Sequence, residues 1–287
     1  MVGIDPVTPT VPTLAWAADE AGRRNLPLRL VLAVPPLHDT QHVDSTPQHM
    51  FLSAQGREAL DAASETISRL APQTCVTTEL VDGRPAVALC RRVTALTSMV
   101  VVGSRRLSVP AEILSTRSVA FPLSAQADCP VVVVRAPEHV ANISACLVVG
   151  VDGSASSQRA VKFAFEEAIL RHASVHALWV WPRPAVSLSR AETGMDERAR
   201  LLDEAIAGCS ARYPDVDVTR KVSRGHPVEE LARASSDALA VVVGRRGHGG
   251  YSGMRLGSVP HGLLHRAECP IIVVPGDPSA RVQTTAA

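Results

Sequence analysis

The chain has 287 residues, 46% of them hydrophobic, and a formal net charge of +1. That length suggests about two domains, and that composition excludes a disordered chain. The near-zero charge excludes a global basic field for nucleic acid and an acidic one for a basic partner.

The first residues, MVGIDPVTPT, carry neither a basic n-region nor an apolar h-region, so no signal peptide is expected. No apolar run reaches about 18 residues, so no membrane span is expected. The expected location is the cytoplasm. Cys75, Cys90, Cys129, Cys146, Cys209 and Cys269 form no CxxC pair and are read as reduced and mostly buried. Asn142-Ile143-Ser144 fits a glycosylation sequon, which means nothing without secretion.

Reading along the chain exposes a duplication. GIDPVTPTVPTLAWAADEA opens it and GVDGSASSQRAVKFAFEEA follows 147 positions later, aligning Asp5 with Asp152 and Trp16 with Phe163. Gly83-Arg84-Pro85 matches Gly225-His226-Pro227, MVVVGSRR matches AVVVGRRG, and DCPVVVVR matches ECPIIVVP. Copies this long are duplicated domains and not solenoid units. They are placed at residues 1–137 and 143–276, joined near the polar, Pro-containing APEHVANIS, with 277–287 as a disordered tail. The first copy has a short lead: Met1 lies four residues before Asp5. A truncated or misassigned start is the expectation there.

The second copy shows the elements most clearly. ACLVVGVD is a β-branched strand ending at Asp152. Ala160, Val161, Ala164, Phe165, Ala168 and Ile169 then recur with a helical period. VHALWVW is a second strand, and Leu201, Leu202, Ala205, Ile206 and Cys209 mark a second helix. DVTRKVS alternates as a third strand, and Pro227 opens a third helix. ALAVVVG is a strand buried on both faces. A glycine-rich stretch, a helix through Leu263 and Leu264, and the strand CPIIVVP close the copy. Both copies therefore read as α/β: two tandem doubly wound domains, each a five-stranded, mostly parallel sheet flanked by helices. The apolar last strands, Val131–Val134 and Ile271–Val274, need covering if they are edges, by each other or by a second chain.

In such a sheet, ligands bind beyond the carboxyl ends of the strands. Asp152, followed by Gly153-Ser154, and the stretch GRRGHGGYSGMRLGSVPHG from Gly244 to Gly262 both fall there. Gly244 and Gly247 suit close approach of backbone to a ligand. Gly257-Ser258 at a helix start suits an anion. The competing reading makes Gly257 a turn and Ser258 a plain N-cap, and the residues alone leave both open. The stretch is neither a Walker loop nor a Rossmann GxGxxG.

The spacing Gly244-x2-Gly247-x9-Gly257-Ser258, with VGVDGS, GHP and CPIIVV around it, resembles the signature of ATP-binding universal stress proteins, of the tandem-domain type found in actinobacteria. The resemblance implies a Rossmann-like fold and an ATP-binding regulator of stress adaptation or growth, not a turnover enzyme. It implies that Asp152 and Gly150 line the adenosine, that the Val180 backbone pairs with adenine, and that Val243 and Gly244 flank the ribose. Gly247, Gly257, Ser258 and Val259 would hold the phosphates, with Mg²⁺ on phosphate oxygens. In the first copy Asp5, Ala33, Gly103 and Ser118 are the corresponding positions, but Arg106 and Arg117 replace two glycines. That half is expected to bind ATP weakly or not at all. The alternatives are a weak ATP hydrolase or adenylate-transferring enzyme, and a nucleotide-free scaffold. A homodimer and a regulatory protein partner are expected; nucleic acid and membrane are not.

Five smaller readings complete the sequence. His261 and His265 have a zinc-compatible spacing but no third ligand, so metal binding is not expected. Cys129 and Cys269 are read as buried thiols. One of Trp179 and Trp181 is expected in the core, and Ser154 or Ser156 is expected to cap a helix. His248 and Tyr251 are either solvated loop residues or a lid.

Overall fold

The computed structural model describes residues 1–6, 11–35, 47–104, 119–135, 144–181, 193–248 and 255–276. The join and the tail, with Arg106, Arg117, Ser118, Tyr251, Gly249, Gly250 and Gly253, lie outside the described residues. The chain divides into two compact units, Met1–Ala136 and Pro137–Ala287.

The first unit contains β1 (Val2–Gly3), α1 (Val11–Arg24), β2 (Leu28–Val34), α2 (Pro47–Leu70), β3 (Val76–Asp82), α3 (Pro85–Arg92), β4 (Val100–Ser104), α4 (Ala120–Gln126) and β5 (Val131–Arg135). Its strands run parallel in the order β3-β2-β1-β4-β5. The second unit contains β6 (Ser144–Val151), α5 (Ala155–Arg171), β7 (Ser174–Trp181), α6 (Thr193–Arg212), β8 (Val218–Arg224), α7 (Pro227–Ala234), β9 (Ala238–Gly244), α8 (Ser258–Arg266) and β10 (Ile271–Val274). Its order is β10-β9-β6-β7-β8, again all parallel. The two units repeat each other in register: Val2 faces Leu30 and Val101, and Val149 faces Ala177 and Val242. The doubly wound fold read from the sequence is the one observed.

The strand centres carry the core because helices cover both faces of a parallel sheet. No alternation of inward and outward residues occurs in the middle of β9: Ala240, Val241, Val242 and Val243 are all buried. The β8 strand, at the outer edge of its sheet, is largely open, which is why its sequence can hold Thr219, Arg220 and Lys221. At the other end of this unit's strand order, β10 is buried throughout.

The helical stripe on α5 holds for Ala160, Val161, Ala164, Phe165 and Ala168, but Ile169 is 40% exposed. Glu167, on the opposite flank of the stripe, is fully buried, and its Oε2 accepts from Arg171 Nε at 3.1 Å. The same i,i+4 pair, Glu20 with Arg24, recurs at the matching position of α1. Only Cys129 and Cys269 are buried; Cys75 is exposed and the other three are half-buried, correcting the expectation of mostly buried thiols. Desolvation pushes both buried thiols up to about 11. No helix among the described residues is long and apolar enough to cross a membrane.

Candidate functional site

In the second unit β6 lies between β7 and β9, so the chain leaves β6 on one side and returns on the other. The crevice at the carboxyl ends of β6 and β9 is thus the switch point where doubly wound sheets hold ligands. Asp152 follows β6 and Gly244 ends β9, so both flank that crevice.

The turn after β6 is built by short polar side chains. Gly153 has φ +81°, a conformation that L residues rarely adopt. Asp152 Oδ1 accepts from the Ser154 N–H at 2.9 Å. Ser154 caps α5, its Oγ accepting from the Ser157 N–H at 3.1 Å. Ser156 does something else: its Oγ accepts the Arg246 N–H at 3.3 Å. Asp152 Oδ2 accepts the His248 N–H, also at 3.3 Å. The glycine stretch is therefore pinned to the β6–α5 turn at two points.

This pinning accounts for two of the spaced glycines. A Cβ on Gly244 would come within 2.7 Å of the Ser156 carbonyl group, and one on Gly247 would overlap Asp152 Oδ2. Sequence reading assigned both to backbone approach to a ligand; the close neighbours here are Ser156 and Asp152. Gly150 is likewise enclosed, with Leu231 Cδ1 and Val243 Cγ1 each 3.2 Å from where its Cβ would stand. Gly262 sits inside α8, where a Cβ would lie 2.5 Å from Val228 Cγ2.

Of the two readings left open for Ser258, the plain N-cap is not the one observed at the start of α8. The cap is Gly257, at φ −70° and ψ 162°, and no side chain caps the helix. Gly257 is itself buried, its N–H donating to Arg245 O at 2.9 Å. Ser258 and Val259 occupy the first two helical positions and Pro260, the third, has no N–H. An uncapped first turn presents its free N–H groups and the positive end of the helix dipole. Arg246 and Arg255, both exposed, add positive charge to the same loop.

Val180 lies half-buried on β7, one strand away from β6. Neither flanking tryptophan enters the core. The Trp179 ring packs on Gly153, where a Cβ would be 3.1 Å from its Cη2 and 3.7 Å from His248 Nε2. Trp181 lies under the guanidinium of Arg198, 3.9 Å from ring centroid, with Arg224 at 5.6 Å. Both rings stand at the carboxyl end of β7, where the sheet layer ends and core burial with it.

Sequence reasoning missed the anchoring role of Ser156 and the approach of Trp179 and His248 to Gly153. The serine two positions after a helix cap was the available signal for the first; only folding brings the two rings to the Gly153 turn. His261 and His265 have ring centroids 5.1 Å apart, and burial, then the neighbouring His265 charge, lowers the pKa of His261. No cluster of three or more metal-ligating side chains occurs among the described residues. In the first unit Asp5 follows β1, Ala33 is buried on β2, and Gly103 is exposed on β4. There Gly3 repeats the enclosure of Gly150, with Leu89 Cδ1 at 2.9 Å and Val102 Cγ1 at 3.0 Å from its would-be Cβ.

The Universal stress protein family model matches residues 1–135 and again 147–275. A universal stress protein of Mycobacterium tuberculosis strain H37Rv is 36% identical over 289 residues, covering 95% of each chain. One from Mycolicibacterium smegmatis is 32% identical over 288 residues, covering 96% of each. The crystal structure of a universal stress protein from Archaeoglobus fulgidus superposes with a TM-score of 0.73 at 16% identity, covering 97% of both chains. That last likeness speaks to the fold.

Proposed function

The chain belongs to the universal stress protein family, as a tandem of two of its domains, and on that premise we propose that it is an ATP-binding regulator of stress adaptation or growth. The observation that carries the reading is the start of α8. A buried glycine cap leaves the first turn without a side-chain cap, beside a loop tied to Asp152 at the switch point. An anion satisfies such a helix end better than water does.

In this reading the N–H groups of Ser258 and Val259 receive phosphate oxygens, with Gly247 and Gly257 forming the rest of the cradle. Val243 and Gly244 flank the ribose, Asp152 and Gly150 line the adenosine, and the Val180 backbone pairs with adenine. Mg²⁺ would accompany the phosphates, as the family resemblance implies. Asp152 already accepts two backbone N–H groups, so it suits holding a loop and a ligand better than abstracting a proton. The protein accordingly works by occupancy, in the cytoplasm, as a homodimer that signals to a protein partner through the glycine loop. The first domain, with Arg106 and Arg117 at glycine positions, contributes little nucleotide affinity.

Mass spectrometry of the nucleotide released from freshly purified protein tests this. ATP is the expected content. Nucleotide-free protein that also fails to bind added ATP would favour the scaffold reading. Steady multi-turnover release of ADP or AMP, abolished by Asp152→Ala, would favour the enzyme reading.

A further inference from the structure

The two domains differ at the turn that follows their third strand. In the second domain, Glu230 on α7 folds back onto the Gly225 turn. Its Oε2 accepts from Ser223 Oγ at 2.8 Å and pairs with Arg233, and its Oε1 lies 2.9 Å from where a Gly225 Cβ would stand. The hydrogen bond from Ser223, then Arg233, holds this carboxyl below its usual range. The helix that carries it has Glu229 and Glu230 in its first turn, where the dipole favours negative charge.

The first domain keeps the frame and changes the charge. Gly83 stands for Gly225, Arg91 for Arg233 and Ala88 for Glu230. Gly83 holds φ +134°, and Ala88 Cβ is 3.7 Å from where its Cβ would stand. The first turn of α3 carries no acidic residue, and no side chain caps it. Where the second domain places the Glu230 carboxylate, the first has a cavity of about 240 Å³ lined by Asp82, Gly83, Arg84, Val87, Ala88, Arg91 and Arg92. Arg91 has no acidic partner among the described residues. Asp82, the acid at the rim, is 3.0 Å from His49 Nε2, and Arg92 is turned to Glu79 at 2.6 Å.

We propose that this cavity is an anion site, in which a phosphate or carboxylate group takes the place that the Glu230 carboxylate fills in the other domain. The group would meet Arg91 and the N-terminal end of α3, close to the Gly83 backbone where a side chain would obstruct it. The site is separate from the glycine loop of the second domain, so it neither needs nor tests nucleotide binding there.

Titration of the full chain with inorganic phosphate, and separately with acetate, followed by backbone amide NMR, tests the proposal. Saturable shifts centred on Gly83, Val87, Ala88 and Arg91 are expected, and the tighter of the two anions names the group. Arg91→Gln, a change at an exposed position, should weaken binding by about fivefold or more, in line with loss of one charge-assisted hydrogen bond. Ala88→Glu restores the built-in carboxylate and should abolish binding. The proposal is overturned if neither anion gives a saturable shift at these amides, or if Arg91→Gln binds as the unchanged chain does. Should Ala88→Glu not fold, the Arg91→Gln titration decides alone.

Discussion

A Cβ placed on Gly247 would overlap the Oδ2 of Asp152, the oxygen that also accepts the His248 N–H at 3.3 Å. The spacing of the glycine motif is thereby linked to the acid at the end of β6. One residue clears space, and the other fills it with a carboxylate that fixes the loop.

Gly247→Ala should therefore act on binding. The added methyl displaces either the loop or the Asp152 carboxylate, with little of the core disturbed, since Gly247 is exposed. ATP affinity is expected to fall by about tenfold or more, equivalent to about 1.4 kcal/mol, while the urea midpoint changes little. Calorimetric titration beside urea unfolding checks both halves.

Gly244→Ala should act on stability. Its Cβ would press on the Ser156 backbone at the start of α5, which has no flexible end to move aside. Overpacking of this kind costs about 1–3 kcal/mol. Urea unfolding measures it, and an unchanged midpoint would contradict the packing described.

Removing Glu167 takes a carboxylate away from the Arg171 guanidinium, itself only 8% exposed. Breaking a buried pair from one side costs about 3–5 kcal/mol. Glu167→Ala should approach that loss in urea unfolding, and Glu20→Ala should lose less, because Arg24 is 23% exposed and reaches water.

The buried thiols give a pH dependence. Burial holds Cys269 protonated up to about 11, whereas in the unfolded chain it ionises near its ordinary 9.0. Unfolding releases the proton above that lower value, so the stabilisation is complete below about pH 9 and is lost as pH rises towards about 11. The full difference corresponds to about 3 kcal/mol. Unfolding free energy measured from pH 8 to 10 should fall more steeply for the unchanged chain than for Cys269→Ala; equal slopes would contradict the assignment.

Much of this architecture is legible in the sequence because it is periodic. The run Ala238–Gly244 is apolar without a break, and it is β9, a strand flanked on both sides by others. The duplication supplied a second reading of each element. What escaped was set by tertiary contact. Glu167 is spaced to border the α5 stripe, but its charge argues for solvent, and its burial comes only with packing. Trp179 and Trp181 look like core residues because they alternate with Val180 in a strand, yet that strand runs out of the covered layer at its carboxyl end. The glycine spacing falls beside the switch point of the second sheet. Its physical content is divided: Gly244 and Gly247 make room for Ser156 and Asp152, and Gly257 leaves a helix end uncapped.

The central claim is that this uncapped helix end holds the phosphates of ATP. Calorimetric titration of ATP into the full chain and into Gly257→Arg tests it most directly, because the substitution copies Arg117 from the matching position of the first domain. The account predicts one ATP per unchanged chain and a loss of affinity of about tenfold or more in the variant. No binding to the unchanged chain, or equal binding to both, would contradict it.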